Sequence, residues 1–292
     1  MINALGLFIA VIAGTCKSFG LKKANKFAAP VHSGDAMLSN FIMAAVSFIV
    51  ILILSGFRFG KFSAFTFGLA VVFAAGNVVA QFIYIRLLAT GPISLGILFS
   101  SAGFMVPTLF GTVFWQEKIS QTQYIGLFIL LCALILVTYR KSAEPDNKAN
   151  MRWIILAICC TLAMGTIGVF QKVQQRSDFK DEINEFLLIF TALYTLTAFV
   201  LYLFSSDKRK FRIDPFIKWT VFAGLGYGIV SKLNLYLCGV LESIIIFPVY
   251  NGGILITGAL TGIIILREQI RKVQYAGLAL ALIAIILLSG IV

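Results

Sequence analysis

Trp115-Gln-Glu-Lys-Ile-Ser-Gln-Thr-Gln-Tyr-Ile-Gly126 reappears 151 residues later as Leu266-Arg-Glu-Gln-Ile-Arg-Lys-Val-Gln-Tyr-Ala-Gly277. Five positions are identical: Glu117/Glu268, Ile119/Ile270, Gln123/Gln274, Tyr124/Tyr275 and Gly126/Gly277. The same register, without a gap, places Gly14-Thr15 on Gly165-Thr166, Phe19 on Phe170 and Gly111 on Gly262. Leucine on leucine means little in so apolar a chain, whereas polar and glycine identities held at one offset mark a duplication. The two copies are residues 1–143 and 151–292, separated by the polar, proline-bearing stretch from Arg140 to Lys148, which reads as a linker.

The rest of the chain is built to match. Of its 292 residues 60% are hydrophobic and 12% charged, and the mean hydropathy is +0.96. Ordinary globular domains are about 45–50% apolar and about 25% charged, so a water-soluble enzyme is excluded. A bilayer core needs about 20 mainly apolar residues per helix. Ten runs of that kind are present, near 3–21, 36–56, 67–88, 93–114, 122–139, 152–172, 184–204, 216–238, 244–265 and 273–291. The first run has no positively charged start and no small-residue cleavage site, so it is expected to be a retained span. Cys16, Cys132, Cys159, Cys160 and Cys238 all lie inside apolar runs without CxxC spacing, as small buried hydrophobes do.

Each copy therefore carries five spans. An odd number forces the second copy to enter the membrane upside down relative to the first. Inverted repeats place a substrate site near the midplane and permit alternating access by rocking. The expected fold is all-α and integral to the membrane, ten helices arranged as two inverted five-helix repeats, and the expected function is transport.

With Glu-x-Ile-x-x-x-Gln-Tyr-x-Gly between the fourth and fifth span of each half, the chain resembles the drug/metabolite transporter superfamily, EamA type, over essentially its whole length. The resemblance implies a central cavity lined chiefly by spans 1, 3, 4, 6, 8 and 9. It also implies a proline in the fourth span, which Pro107 matches; the second half has Gly258 there, with Pro248 ten residues earlier.

Basic residues favour one set of loops. Sixteen of the 24 Lys and Arg fall on odd-numbered connections, among them Lys22, Lys23 and Lys26 and the run from Lys208 to Lys218; six fall on even ones: Arg58, Lys61, Lys118, Lys172, Arg176 and Lys180. By the positive-inside bias the odd loops are cytoplasmic and both termini lie outside, opposite to the usual arrangement of the resembled family.

Two lysines remain, both inside spans. Lys232 stands in Tyr227-Gly-Ile-Val-Ser-Lys-Leu-Asn-Leu-Tyr236. A cation at a helix centre costs about 2.5–3.5 kcal/mol on insertion scales, so it is expected to face a cavity or partner unless it snorkels to the interface. Its repeat counterpart is Gln81; Asn77 lies one turn before Gln81 and Tyr236 one turn after Lys232. Lys17, near the end of span 1, has the counterpart Gly168. In span 9, Tyr250-Asn251-Gly-Gly253 follows Pro248 and is expected to loosen the helix and expose polar groups, with Gly258 and Gly262 as a close-packing contact.

Acids are placed differently. Asp35 and Glu185 sit at span starts, and Glu117 and Glu268 in the paired turns, where they are expected to tie the turn to basic residues. A proton-coupled cation exporter generally needs a membrane-embedded carboxylate, and none lies deep in a span. His32 lies in a loop. No sequence pattern for hydrolase, ATPase or metal chemistry is present, so no catalytic residue, metal or cofactor is expected.

The sequence thus predicts a multi-pass protein of the inner or plasma membrane, monomeric or homodimeric, whose partners are the lipid bilayer and a small-molecule substrate and not nucleic acid. The substrate is expected to be a small polar metabolite, favoured as an amino acid or other organic anion. The predicted binding residues are Lys232, Gln81, Asn77, Asn251, Tyr250, Tyr236 and Lys17. The alternatives are export of an organic cation or drug held on aromatic faces, or a non-transporting subunit or flippase partner for lipid head groups. A reporter active only in the cytoplasm, fused after Val292, is expected to stay silent; a signal there reverses the orientation.

Overall fold

The computed structural model describes residues 2–25, 27, 33–90, 93–138, 151–205, 214–265 and 271–289. These are helical almost throughout: α1 (Ile2–Asn25), α2 (Ser33–Leu54), α3 (Ala64–Thr90), α4 (Ile93–Ser101), a 3-10 turn (Ala102–Phe104), α5 (Met105–Phe114), α6 (Gln121–Thr138), α7 (Met151–Arg176), α8 (Ile183–Leu203), α9 (Pro215–Val240), α10 (Ser243–Ile264) and α11 (Lys272–Leu288). Nine stretches among the described residues are long and apolar enough to cross a membrane, with α4, the 3-10 turn and α5 together forming one of them; α11, at 17 residues, is a shorter apolar helix. The chain is a multi-pass membrane protein, and every apolar run of the sequence forms a helix.

Three local departures have physical causes. Span 4 is not one uniform helix, because Pro107 has no N–H to give the Gly103 carbonyl and the chain tightens into a 3-10 turn just before it. Span 9, by contrast, runs unbroken through Pro248. There the Asn251 side-chain Nδ2 donates to the Phe247 carbonyl at 2.8 Å, so the polar residue expected to loosen the helix serves its backbone. Span 6 continues to Arg176 through Lys172, Gln174 and Gln175, a polar run that reads as the start of a loop. It stays helical because these groups are satisfied within the protein, with Gln174 Nε2 donating to the Phe179 carbonyl at 3.1 Å.

Packing divides the chain into two compact units. One comprises Met1–Val78 with Val173–Gly239, the other Val79–Lys172 with Val240–Val292. Each unit therefore draws on both halves of the sequence. In the second unit α6 packs along α11, and the contacts come in pairs at the 151-residue offset. A Cβ on Gly126 would lie 3.0 Å from both Leu287 and Leu288; one on Gly277 would lie 2.9 Å from Leu136 and 2.8 Å from Val137. The two identical glutamines behave alike. Gln123 accepts from the Ser120 N–H at 3.0 Å and donates to the Leu288 carbonyl at 3.4 Å. Gln274 accepts from the Arg271 N–H at 3.0 Å and donates to the Val137 carbonyl at 2.8 Å. Each caps its own helix start and ties it to the last turn of the other, which makes the two helices antiparallel.

In the first unit α2 packs along α8 in a similar way. Phe41 meets Phe199 with ring centroids 5.1 Å apart. Around them lies a shallow apolar groove of about 480 Å³, whose lining includes the offset pairs Phe41/Ala192, Ala45/Leu196 and Phe48/Phe199.

Close approach explains some glycines and not others. Gly262 is buried, but a Cβ on Gly258 would meet nothing within 4 Å, so Gly258 makes no close helix contact among the described residues. Gly126→Val and Gly277→Val are each expected to lower stability by about 1–3 kcal/mol through overpacking. Gly258→Val should leave it unchanged. Thermal unfolding of the purified variants in detergent checks all three.

Candidate functional site

Among the described residues, one buried ion pair is only half legible in the sequence. After α5, Gln116 adopts a left-handed conformation at φ +52°, and the Trp115 and Glu117 N–H groups both return to the Gly111 carbonyl, at 3.1 and 3.2 Å. This turn aims the Glu117 carboxylate back at the protein. Its Oε2 accepts the Ser243 N–H at 2.6 Å, at the first residue of α10, and its Oε1 lies 3.0 Å from Lys172 Nζ of α7. Lys172 also donates to the Leu241 carbonyl at 2.5 Å. The two charged side chains are 1% and 4% exposed, so the pair is removed from solvent. Gly111 makes the room: a Cβ there would stand 2.6 Å from both Glu117 Oε2 and Ser243 Oγ.

Burial pushes the Glu117 carboxyl upward, but the hydrogen bond and charge of Lys172 and the bonds from Ser243 outweigh it and hold the group below its ordinary value. The positive end of the α10 helix adds to the same effect. Chemically this is a tie between the ends of α5, α7 and α10. Glu268, its counterpart in the repeat, lies outside the described residues, as do His32 and the Arg140–Lys148 linker.

A second tie serves the first unit. Glu182, just ahead of α8, accepts from the Ser63 N–H at 3.0 Å and from the Ser63 hydroxyl at 2.9 Å. Its carboxyl is pushed up by burial, yet hydrogen bonds from Thr66 and Ser63 hold it below the usual range. Glu185 Oε1 takes the Gly60 N–H at 2.8 Å.

The predicted binding residues fall into both units. In the first, Lys232 Nζ donates to Asn184 Oδ1 at 2.6 Å and to the Leu54 carbonyl at 3.2 Å. Asn184 is the second residue of α8 and Leu54 the last of α2, so this ammonium reaches toward helix ends and the carbonyl pole of α2. Asn77 is buried, and its Nδ2 donates to the Phe73 carbonyl at 2.8 Å. Tyr236 is 44% exposed. Lys17 is half-buried, with its Nζ 4.4 Å from the centroid of the Tyr227 ring. In the second unit, Gln81, Tyr250 and Asn251 are half-buried. Among the described residues, the hydrogen bonds of the Lys232, Asn77 and Asn251 side chains run to Asn184 or to main-chain carbonyls and not to one another.

Sequence reasoning missed the surroundings of Lys17. Ser231 lies one turn along α9 from Tyr227, and both Ser231 and Tyr194 of α8 are buried. Phe190 stacks on Tyr194 at 5.9 Å, and Phe73 meets Phe190 edge-on at 4.5 Å. The available signal was the position of Tyr227 and Tyr194 at the middle of their spans, where a phenol O–H needs a partner. No cluster of His, Cys, Asp and Glu that would hold a metal occurs among the described residues.

No family model matches the chain. An uncharacterized protein of Haemophilus influenzae is 22% identical over 189 residues, spanning 62% of this chain and 60% of that one. The chain thus spans less than two thirds of the length of this relative. A solved structure described only as "Crystal structure of protein" is similar along 100% of this chain and 99% of its own, with a TM-score of 0.71 at 15% identity. At that identity the likeness is one of fold.

Lys172→Met leaves a buried carboxylate without its cation and is expected to cost about 3–5 kcal/mol of stability. Combining it with Glu117→Gln should recover most of that loss. Because the folded Glu117 carboxyl titrates below its unfolded value, its contribution is complete at neutral pH. It is lost as pH falls from about 4 through the lower folded value. Unfolding midpoints of the single and double variants between neutral and acid pH check both statements.

Proposed function

We propose that the chain is a secondary transporter of the drug/metabolite transporter superfamily, EamA type, moving a small polar metabolite across the cell membrane by alternating access. The observation that carries this reading is the paired contact set of α6 and α11. Gly126 with Gly277 and Gln123 with Gln274 make equivalent contacts 151 residues apart in antiparallel helices. That is the relation expected of two inverted repeats, and inverted repeats are the architecture of transporters with a midplane site.

The favoured substrate is an amino acid or other organic anion. Among the described residues, Asp35 and Glu185 lie at the third position of their helices and the remaining acids in connections, so no carboxylate stands at mid-span. Lysines do lie inside spans. A second reading, export of an organic cation, draws on one observation, that the Tyr227 ring already carries an ammonium on its face.

Proteoliposomes containing only this chain test the reading. Saturable uptake of a radiolabelled amino acid or organic acid is expected, with no movement of labelled tetramethylammonium. Movement of the ammonium and of no anion favours the second reading; the absence of any flux removes both.

A further inference from the structure

Among the lysines of the hydrophobic spans, Lys17, Lys172 and Lys232 differ in what receives their charge. Lys172 has the Glu117 carboxylate and the Leu241 carbonyl. Lys232 has Asn184 Oδ1 and the Leu54 carbonyl, at the ends of α8 and α2. Lys17 has the face of Tyr227, and among the described residues no oxygen accepts from its ammonium. An ammonium on a ring face is stabilised without being neutralised, and its N–H donors remain available.

Depth separates Lys17 from a snorkelling lysine. Tyr227 lies twelve residues after Pro215 and thirteen before Val240, at the centre of α9. Tyr194 lies eleven residues into α8 and nine from its end. At about 1.5 Å per residue, the Lys17 head group is therefore held some 18 Å from either end of α9. Close packing fixes it there: a Cβ on Gly226 would meet the Ala13 carbonyl at 2.6 Å and the Lys17 N at 2.9 Å, so α1 lies directly against α9 beside Tyr227. Lys17 and Tyr227 both keep part of their surface accessible, while Ser231 and Tyr194 behind them are buried.

The cluster is also absent from the other half of the repeat. At the 151-residue offset Lys17 corresponds to Gly168, Tyr227 to Gly76, Tyr194 to Met43 and Ser231 to Ala80. It therefore occurs once, as a single binding point in a duplicated protein would.

We propose that Lys17, seated on Tyr227, forms the point at which the transported substrate's carboxylate is recognised. The ammonium of Lys17 pairs with the carboxylate, and the Tyr227 ring holds that ammonium at mid-span. The proposal rests on the transporter reading above and moves its anion contact from Lys232 to Lys17.

The test uses the purified full chain in detergent and four sodium salts, acetate, succinate, L-glutamate and benzoate, each against sodium chloride of equal ionic strength. At least one carboxylate is expected to raise the unfolding midpoint of the wild type. The half-effective concentration should rise about tenfold or more in Lys17→Met and in Lys17→Gln, the second variant guarding against misfolding of the first. Lys17→Arg should keep the response, as should Lys218→Met, the same charge change at the exposed start of α9. With its ammonium gone, the Tyr227 face of Lys17→Met should respond to tetramethylammonium chloride, to which the wild type does not. Stabilisation that survives both neutral variants, or a wild type that responds to none of the four salts, overturns the proposal. Carboxylate flux in proteoliposomes that persists in Lys17→Met would overturn it too while leaving the transporter reading standing. Absence of all flux with Lys17 intact removes that reading.

Discussion

Hydrocarbon offers nothing to a polar group, and each part of this structure answers that constraint. The commonest answer is local. Thr15, Thr108, Thr191 and Thr220 each return their hydroxyl to the carbonyl four residues earlier, and Asn77 and Asn251 do the same with an amide. These side chains are polar in the sequence, and each makes a hydrogen bond within one turn of its own helix. A fixed charge cannot be settled so cheaply. Lys172 and Glu117 settle theirs on each other and on main-chain groups, in a space that exists because position 111 has no side chain.

The same constraint shapes the contact of α6 with α11. An antiparallel helix pair brings the start of one helix beside the end of the other, where unsatisfied N–H and C=O groups collect. One amide side chain at each end can cap its own helix and reach across to its mate. Gln123 and Gln274 do both. The glycines three residues further on let the backbones close to the distance that reach requires. The motif shared by the two halves is therefore a fastening for α6 and α11, not a substrate signature.

How much was legible follows from the range of the interaction concerned. The apolar runs are a matter of composition over about twenty residues; among the described residues nine of them give stretches long enough to span and the last a shorter helix. The 151-residue match stands out in the sequence because polar identities are rare in an apolar chain. Pairings between distant spans do not: nothing local to Lys172, which reads as the edge of a loop, reveals that Glu117, 55 residues earlier, waits for it. Pro248 reads as a helix breaker, and only the unbroken helix with its Asn251 side chain on the Phe247 carbonyl shows otherwise. In the sequence Lys232 stands well inside its apolar run and Lys17 near the end of its own. They differ in what lies within a side chain's length, helix ends for one and the face of a mid-span tyrosine for the other.

Duplication and specificity pull a sequence in opposite directions. Contacts between equivalent helices favour keeping both copies alike, since a change in one must be met by its mate, and the identities are concentrated there. A single asymmetric ligand asks for one copy to differ. At position 17 the two copies differ, and the other copy enforces the difference by packing. Its counterpart Gly168 packs so tightly that a Cβ would stand 2.8 Å from Phe247 and 2.9 Å from Pro107. A lysine cannot occupy that position without displacing the proline at which span 4 changes its helix. One half thus uses the position to pack beside a proline, and the other uses it to carry a charge to mid-span. Those two uses exclude each other at a single residue, so the asymmetry belongs to the fold and is not incidental drift between the copies.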